Sequence, residues 1–305
     1  MTEHRLVTEF TDALRRSMLP FLAEGVDALS SKPGYRDDLE DVLGLLRRAW
    51  GDKPWPRWAA NGTLRFNRTV IQEELSFRKT GQYSRKPEES VTVNAEVYQS
   101  AEVMEGYYLV GLLLSYFTWI HHDRMLDFYR TRFLGGTGSA KSVMDWGIGH
   151  GLFTLLATRA WPTATVTAVD ISEHSLEFAR RLFEAAGVAS RVGFVKTDIL
   201  DRSAIFQPVD RLICSELMEH LPDPSSLVAR IAAGLAPGGR AFVTTAINAP
   251  QPDHIYLFRS PEEVEKLFAS AGLMIDESIC LVHPHNEGRV NAPTVLAMIA
   301  AKADE

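Results

Sequence analysis

The chain has 305 residues, 46% hydrophobic, 23% charged and 10% aromatic, with 21 Gly and 15 Pro; this balance excludes a disordered or collagenous protein and allows a large core divided over two regions. Thirty-two Lys and Arg against 39 Asp and Glu give a net charge of −7, and the pI near 5.8 argues against a nucleic-acid partner, because phosphate binding needs an electropositive face. Cys214 and Cys280 both fall in apolar runs that read as strands, so buried thiols and a reducing cytoplasm are expected rather than a disulfide.

Residues 1–20 carry charge throughout and lack the apolar centre of a secretory signal. Leu6, Phe10, Leu14 and Met18 recur at every fourth position and predict a first amphipathic helix ending near Pro20 or the turn at 30–34. Leu39, Val42, Leu43, Leu46 and Trp50 predict a second. The stretch 53–62, with two prolines, and the polar stretch 81–90 read as loops. Helical spacing returns from Val97 to about Phe133, through Tyr98, Ala101, Met104, Tyr108, Leu112 and Trp119, as one long helix or two joined helices. Its apolar part, 106–120, is shorter than the roughly 20 residues that cross a bilayer, and His121, His122, Asp123 and Arg124 follow at once. A buried helix is expected there, with no membrane contact. Gly135, Gly136 and Gly138 then separate 1–134, read as a helical substrate-covering domain, from 135–305.

In the second region short apolar runs at 142–146, 165–170, 192–196, 210–214, 240–246, 274–282 and 294–301 alternate with amphipathic stretches near 151–160, 175–186, 224–235 and 261–271. That alternation predicts an α/β domain, a doubly wound, mostly parallel seven-stranded sheet. Only 283–293, with His283 and His285, separates the last two strands, so these pair antiparallel.

The first of these strands runs into Asp145-Trp146-Gly147-Ile148-Gly149-His150-Gly151. A dinucleotide fingerprint needs glycine at the sixth position from Gly147, where Leu152 stands, and Asp145 would repel a pyrophosphate. The same acid suits a ligand bearing an ammonium or sulfonium. Asp170 ends the next strand, where it can accept from a ribose diol, and Asp198 follows the third, where it can accept from an adenine amino group while Ile199 packs on the ring. One Asp after a strand is usually a cap or turn residue; three at consecutive strand ends beside such a turn point to a ligand.

Through MDWGIGHG, AVDIS, KTDIL, ICSE, LAPGGR and the terminal strand pair, about 139–303 resembles the class I S-adenosylmethionine-dependent methyltransferases. The resemblance implies a Rossmann-like methyltransferase fold and S-adenosyl-L-methionine as cofactor. It sets Asp145, Gly147, Gly149 and Gly151 around the methionine part, Asp170 and Ile171 at the ribose, Asp198 and Ile199 at the adenine, and Ser215 beside the sulfonium. Trp146 replaces a smaller residue often found there and bears on the pocket floor.

Glu216, Glu219 and His220 have the i, i+3, i+4 spacing that shares one face of a helical turn, and two carboxylates with an imidazole suit a divalent cation. His254, in PDHIYLFRSPEEV, enters from the loop after the next strand. The two segments are similar to the metal-binding Glu-x-x-Glu-His and later His of small-RNA terminal 2′-O-methyltransferases, and the first also resembles ubiquinone-pathway O-methyltransferases. The resemblance implies Mg²⁺ or Mn²⁺ on Glu216, Glu219, His220 and His254, holding acceptor oxygens; without an ion, His220 or His254 is the candidate catalytic base. Against this stands the plainer reading, in which the His of a Glu-His-Leu segment only caps or packs. Tyr98, Tyr107, Tyr108, Trp119 and Tyr256 are the candidate substrate contacts, the aromatics of the helical region being otherwise core.

The expected function is therefore a cytoplasmic S-adenosylmethionine-dependent methyltransferase acting on a small-molecule acceptor, with homodimerisation through the helical region left open. Two alternatives remain at this point. One is an S-adenosylmethionine cyclase or lyase using the same pocket, which would release methylthioadenosine; the other is a non-catalytic binding or dimerisation protein.

Overall fold

A computed structural model describes residues 4–282 and 286–302; His283 and His285 lie outside the described residues. Helix α1 (Arg5–Arg15) buries Val7, Phe10 and Leu14. It stops before Met18, which is 82% exposed, so the fourth member of the expected stripe is not core. The chain turns where the Ser17 hydroxyl accepts the Leu19 N–H at 3.2 Å, and Pro20 opens a separate α2 (Phe21–Leu29). Helix α3 (Tyr35–Ala49) carries the second stripe, with Asp37 and Asp38 in its first turn and Arg47 and Arg48 in its last, the arrangement a helix dipole favours.

Helix α4 (Arg57–Thr80) overturns the loop reading of 53–62. Pro54 and Pro56 precede the helix instead of interrupting it, and proline is tolerated at that end because its missing N–H would have no intrahelical partner. The predicted long helix is broken up: α5 (Ser90–Val93) runs into a π turn at Asn94–Tyr98, α6 (Ala101–Val103) into another at Met104–Tyr108, followed by α7 (Leu109–Ser115). After a 69° bend come α8 (Ile120–Phe128) and a third π turn, Tyr129–Leu134. Among the described residues no single helix is long and apolar enough to cross a membrane.

The second half follows as β1 (Ser142–Trp146), α9 (Leu152–Ala160), β2 (Thr165–Asp170), α10 (Glu173–Ala185), β3 (Val192–Lys196), β4 (Val209–Ser215), α11 (Pro224–Gly234), β5 (Leu235–Ile247), α12 (Pro261–Ser270), β6 (Leu273–Val282) and β7 (Thr294–Lys302). The seven strands lie in the order β3-β2-β1-β4-β5-β7-β6, with β7 antiparallel to both neighbours. This is the Rossmann-like methyltransferase arrangement. Strand β5 begins earlier than expected because Leu235 already pairs with Val209, ahead of a register shift. Cys214 is buried, but Cys280 is exposed, correcting that expectation: β6 is the edge strand, and its alternate residues face outward.

A single apolar cluster joins Phe10 and Leu46 of the helical region to Phe153 and Phe242 of the sheet domain. Tyr129 sits at its middle, its ring 4.7 Å from Phe153 and 4.8 Å from Phe242. A second cluster, with Trp146, Ile231 and Phe268, lies under α11 and α12. The strand order reverses between β1 and β4, which opens a crevice at the carboxyl ends of the strands, where ligands of such sheets bind.

Candidate active site

That crevice is a cavity of about 320 Å³. Gly147 and Gly149 line it in the left-handed region, at φ 74° and 51°. A Cβ built on Gly149 would meet no atom nearer than 3.9 Å, so the space a side chain would fill is open for a ligand. The Gly149 N–H donates to Asp170 Oδ2 at 3.1 Å, and the Ser172 N–H donates to Oδ1 at 2.8 Å. Burial pushes the Asp170 carboxyl up to about 6 against these donors. Asp145 accepts the Thr154 hydroxyl; burial, with the charge of Asp170 adding to it, pushes its carboxyl up to about 7. Neither acid owes its state to a Lys or Arg. A cationic ligand fits such a pair, and S-adenosylmethionine is one.

Ile171, Asp198, Ile199 and Ser215 line the same cavity. Asp198 is held by the Leu200 N–H at 2.8 Å, and Ser215 Oγ lies 2.9 Å from Thr244 Oγ1. Gly151 does not line it: a Cβ there would press on Ala179 and Phe183 at 3.0 and 3.1 Å, so this glycine lets α9 start against α10. Trp146 also faces away. Its indole N–H donates to Met144 Sδ at 2.8 Å and its ring packs near Phe206, so the cavity floor is not made by it. Sequence reasoning missed His150, Tyr116 and Phe153 as wall residues. The Tyr116 ring stands 5.3 Å from both of the others. His150 accepts the Leu152 N–H at 3.1 Å, and burial lowers it to about 3. Its place inside the glycine turn was the available signal.

Glu219, His220 and His254 each bring one donor atom to within 4.8 Å of the others. The expected helical face is not what unites them. Met218–His220 forms a 3₁₀ turn, and Glu216 precedes it at φ 51° with its carboxylate on the Thr244 hydroxyl at 2.8 Å, outside the three-residue group. His254 Nδ1 donates to the Ala249 carbonyl at 2.7 Å, and His220 Nδ1 faces the Asp253 carbonyl at 3.1 Å and the Tyr98 hydroxyl at 2.8 Å. Both imidazoles are thereby oriented through Nδ1, which leaves Nε2 for a ligand, the arrangement metal sites use. Glu219 is wholly buried, accepting the Thr245 hydroxyl at 2.8 Å and the Ala246 N–H at 3.2 Å. Burial, reinforced for Glu216 by the neighbouring Glu219 charge, raises both glutamates.

Asp253 completes the cluster and was missed, although it adjoins His254 in the sequence. Fully buried, it accepts the hydroxyls of Tyr98 at 3.0 Å and Tyr108 at 2.6 Å, while its Oδ1 has no partner among the described residues. Burial would raise its carboxyl, but His220, His254 and the two hydroxyls hold it below the usual range. Two buried acids, Glu219 and Asp253, and two imidazoles, gathered with no Lys or Arg paired to them among the described residues, make a donor set that a divalent cation fits.

Of the expected substrate aromatics, Tyr98 and Tyr108 line the cavity, each closing a π turn that aims its hydroxyl at Asp253. Tyr107 does not; Arg65 lies over its ring at 4.5 Å. Tyr256 packs 4.8 Å from Phe258, also off the cavity. Trp119 lines a different, adjoining cavity.

Residues 143–239 match the family model of a methyltransferase domain. The chain is 31% identical over 128 residues to the ubiquinone biosynthesis O-methyltransferase of Vibrio vulnificus, a match covering 42% of this chain and 52% of that protein. To the Bordetella pertussis protein of the same name it is 37% identical over 118 residues, covering 38% and 47%. The chain thus spans about half the length of these curated relatives. The 1,6-didemethyltoxoflavin-N1-methyltransferase of Burkholderia thailandensis, solved with S-adenosylhomocysteine, aligns at 23% identity and a TM-score of 0.47 over 60% of this chain and 78% of that one. From the sequence match over residues 143–239 and the strand order that carries its glycine turn, the α/β half of this chain contains a methyltransferase domain of Rossmann-like fold.

Proposed function

We propose that this protein transfers a methyl group from S-adenosylmethionine to a small-molecule acceptor, with Glu219, His220 and His254 holding a divalent cation, Mg²⁺ or Mn²⁺, beside the reacting groups. One observation carries the reading: the glycine turn with its unpaired Asp145 and Asp170 and the imidazoles of His220 and His254 line one cavity. When bound, the cofactor supplies a methyl on a sulfonium, and the cation supplies positive charge that favours an ionised acceptor oxygen.

The chain's own residues do the rest. Asp170, fixed by two backbone N–H groups, accepts from the ribose hydroxyls, and Asp145 faces the cationic end of the methionine part. Tyr98, Tyr108 and Asp253 tie the helical region over the cavity, which excludes water and keeps the acceptor in line with the methyl group. His254, lowered to about 3 chiefly by burial and then by the charge on His220, stays unprotonated near neutral pH, which suits a ligand better than a proton-accepting base.

The test is mass spectrometry after incubation with methyl-labelled S-adenosylmethionine and pools of diols, catechols, hydroxy acids and oxo acids. The expected result is S-adenosylhomocysteine with one labelled product, lost on chelation and restored by Mg²⁺ or Mn²⁺. Methylthioadenosine in its place would mean a lyase or cyclase. Chelator-resistant transfer would remove the metal from the account.

A further inference from the structure

A second cavity, of about 520 Å³, adjoins the first, and Glu216 and Gln251 line both. Most of its wall is apolar, with Leu22 and Ala28 from α2, Val70 and Ile71 from α4, Trp119 from the bend before α8 and Ile120 at the start of that helix. Trp119 is held in place there: its indole N–H donates to Asn67 Oδ1 at 2.8 Å, and its ring stacks on His121 at 5.3 Å. A flat hydrophobic surface of this kind suits a ring.

At the seam between the two cavities Gln251 is only 9% exposed, and its Oε1 has no donor among the described residues. A buried acceptor without a donor is costly, and a ligand hydroxyl or N–H would supply one. The outer end has a different character. Glu74, Arg78 and Asn286 line both this cavity and a third, of about 300 Å³, which adds Arg259 and Arg289. Arg78 pairs with Glu74. The guanidinium groups of Arg259 and Arg289 donate to neutral oxygens, the Gly81 carbonyl at 2.8 Å and Asn286 Oδ1 at 2.9 Å, and have no carboxylate partner among the described residues, Glu263 being held by the Arg259 backbone N–H. Three guanidinium groups against one carboxylate favour an anion.

Resting on the methyltransferase reading above, we infer that the second cavity is the acceptor's own site, taking an elongated, ring-bearing apolar molecule. Its hydroxyl or amino group meets Glu216 and Gln251, and its far end carries an anionic group toward Arg78, Arg259 and Arg289. The methyl-accepting atom then lies at the opening into the cofactor cavity, and the anionic group sets which acceptors are held.

Two fluorescent probes test this: 1-anilinonaphthalene-8-sulfonate, an aromatic with an anionic group, and uncharged N-phenyl-1-naphthylamine. Filling the cavity with Ile71→Trp or, independently, Ala28→Trp should weaken both probes about tenfold or more while S-adenosylhomocysteine affinity, read by calorimetry, stays within about twofold. The double variant Arg259→Ala/Arg289→Ala should weaken the sulfonate probe about tenfold and leave the uncharged one unchanged. Probe binding indifferent to both filling variants overturns the acceptor site. Equal effects of the arginine variant on the two probes overturn its anionic end. Absence of S-adenosylhomocysteine binding to the wild-type chain would instead strike the cofactor reading, whatever the probes do.

Discussion

The two halves of this protein make their sides of the site by different means. In the α/β half the work is done by backbone: the turn through Gly147 and Gly149 leaves room for a ligand, and the N–H groups of Gly149, Ser172, Leu200 and Ala246 fix Asp170, Asp198 and Glu219. The helical half contributes side-chain ends, the hydroxyls of Tyr98 and Tyr108 and the ring of Tyr116, carried on a chain repeatedly reset by π turns. A backbone-built surface suits the unchanging part of a cofactor. A side-chain-built surface can be altered residue by residue, and it is the half that, in the function we propose, faces the acceptor. This chemical division is not a division in folding, since one apolar cluster runs through both.

The shared cluster gives the largest expected effect. A chain beginning at Gly135 loses Tyr129 and Phe133 from around Phe153 and Phe242, and with them the rest of the helical share of the cluster, Phe10 and Leu46 included, and it should show no cooperative thermal transition by circular dichroism. A sharp melt with S-adenosylhomocysteine binding intact would make the halves independent after all. Next comes the pH dependence of the backbone-built half. The folded Asp145 carboxyl, raised to about 7, keeps its proton where an unfolded chain has lost it. The stability this contributes is therefore complete below about pH 4 and disappears as pH rises to about 7, a loss of about 4 kcal/mol. Denaturant titrations at pH 4 and 7.5 should show Asp145→Asn gaining that amount relative to wild type on going to the higher pH; parallel curves would contradict the buried, unpaired acid.

Side-chain contacts of the helical half should matter less. Tyr108→Phe withdraws one of the two hydroxyls from buried Asp253 and should cost about 1–3 kcal/mol of stability with S-adenosylhomocysteine affinity nearly unchanged; a large loss of affinity would place this tyrosine on the cofactor instead. Tyr107→Ala loses the Arg65 contact and the packing of a half-buried ring on the core, about 1–2 kcal/mol, and should leave methyl transfer intact. An inactive Tyr107→Ala would return that ring to the acceptor site.

The same contrast explains what the sequence disclosed. Strands β1, β2 and β3 are readable to the residue because each is a short apolar run closed by Asp, Gly or Lys, and the glycine turn follows the first at fixed distance. Helix α4 was hidden: its prolines stand just before its start, where they look like loop signals, and Asn61 and Gly62 dilute its period. Met18 kept the spacing of α1 after the chain had already turned. In the site, His220 and His254 were legible as a pair because their residue type is rare. Asp253 was not, since only the tertiary approach of Tyr98 and Tyr108 distinguishes it from a turn residue. The displacement of Glu216 follows from a left-handed backbone that its spacing from Glu219 does not reveal.

The central claim is that the turn at Gly149 and the carboxylate of Asp170 hold the methyl donor. Calorimetric titration of S-adenosylhomocysteine into the full chain tests it directly. The account predicts one site per chain, binding weakened about tenfold or more in Asp170→Ala, where charge-assisted hydrogen bonds are lost. In Gly149→Val it should be abolished, since a β-branched side chain would fill the open space from a strained left-handed backbone. Wild-type affinity in both folded variants would contradict it.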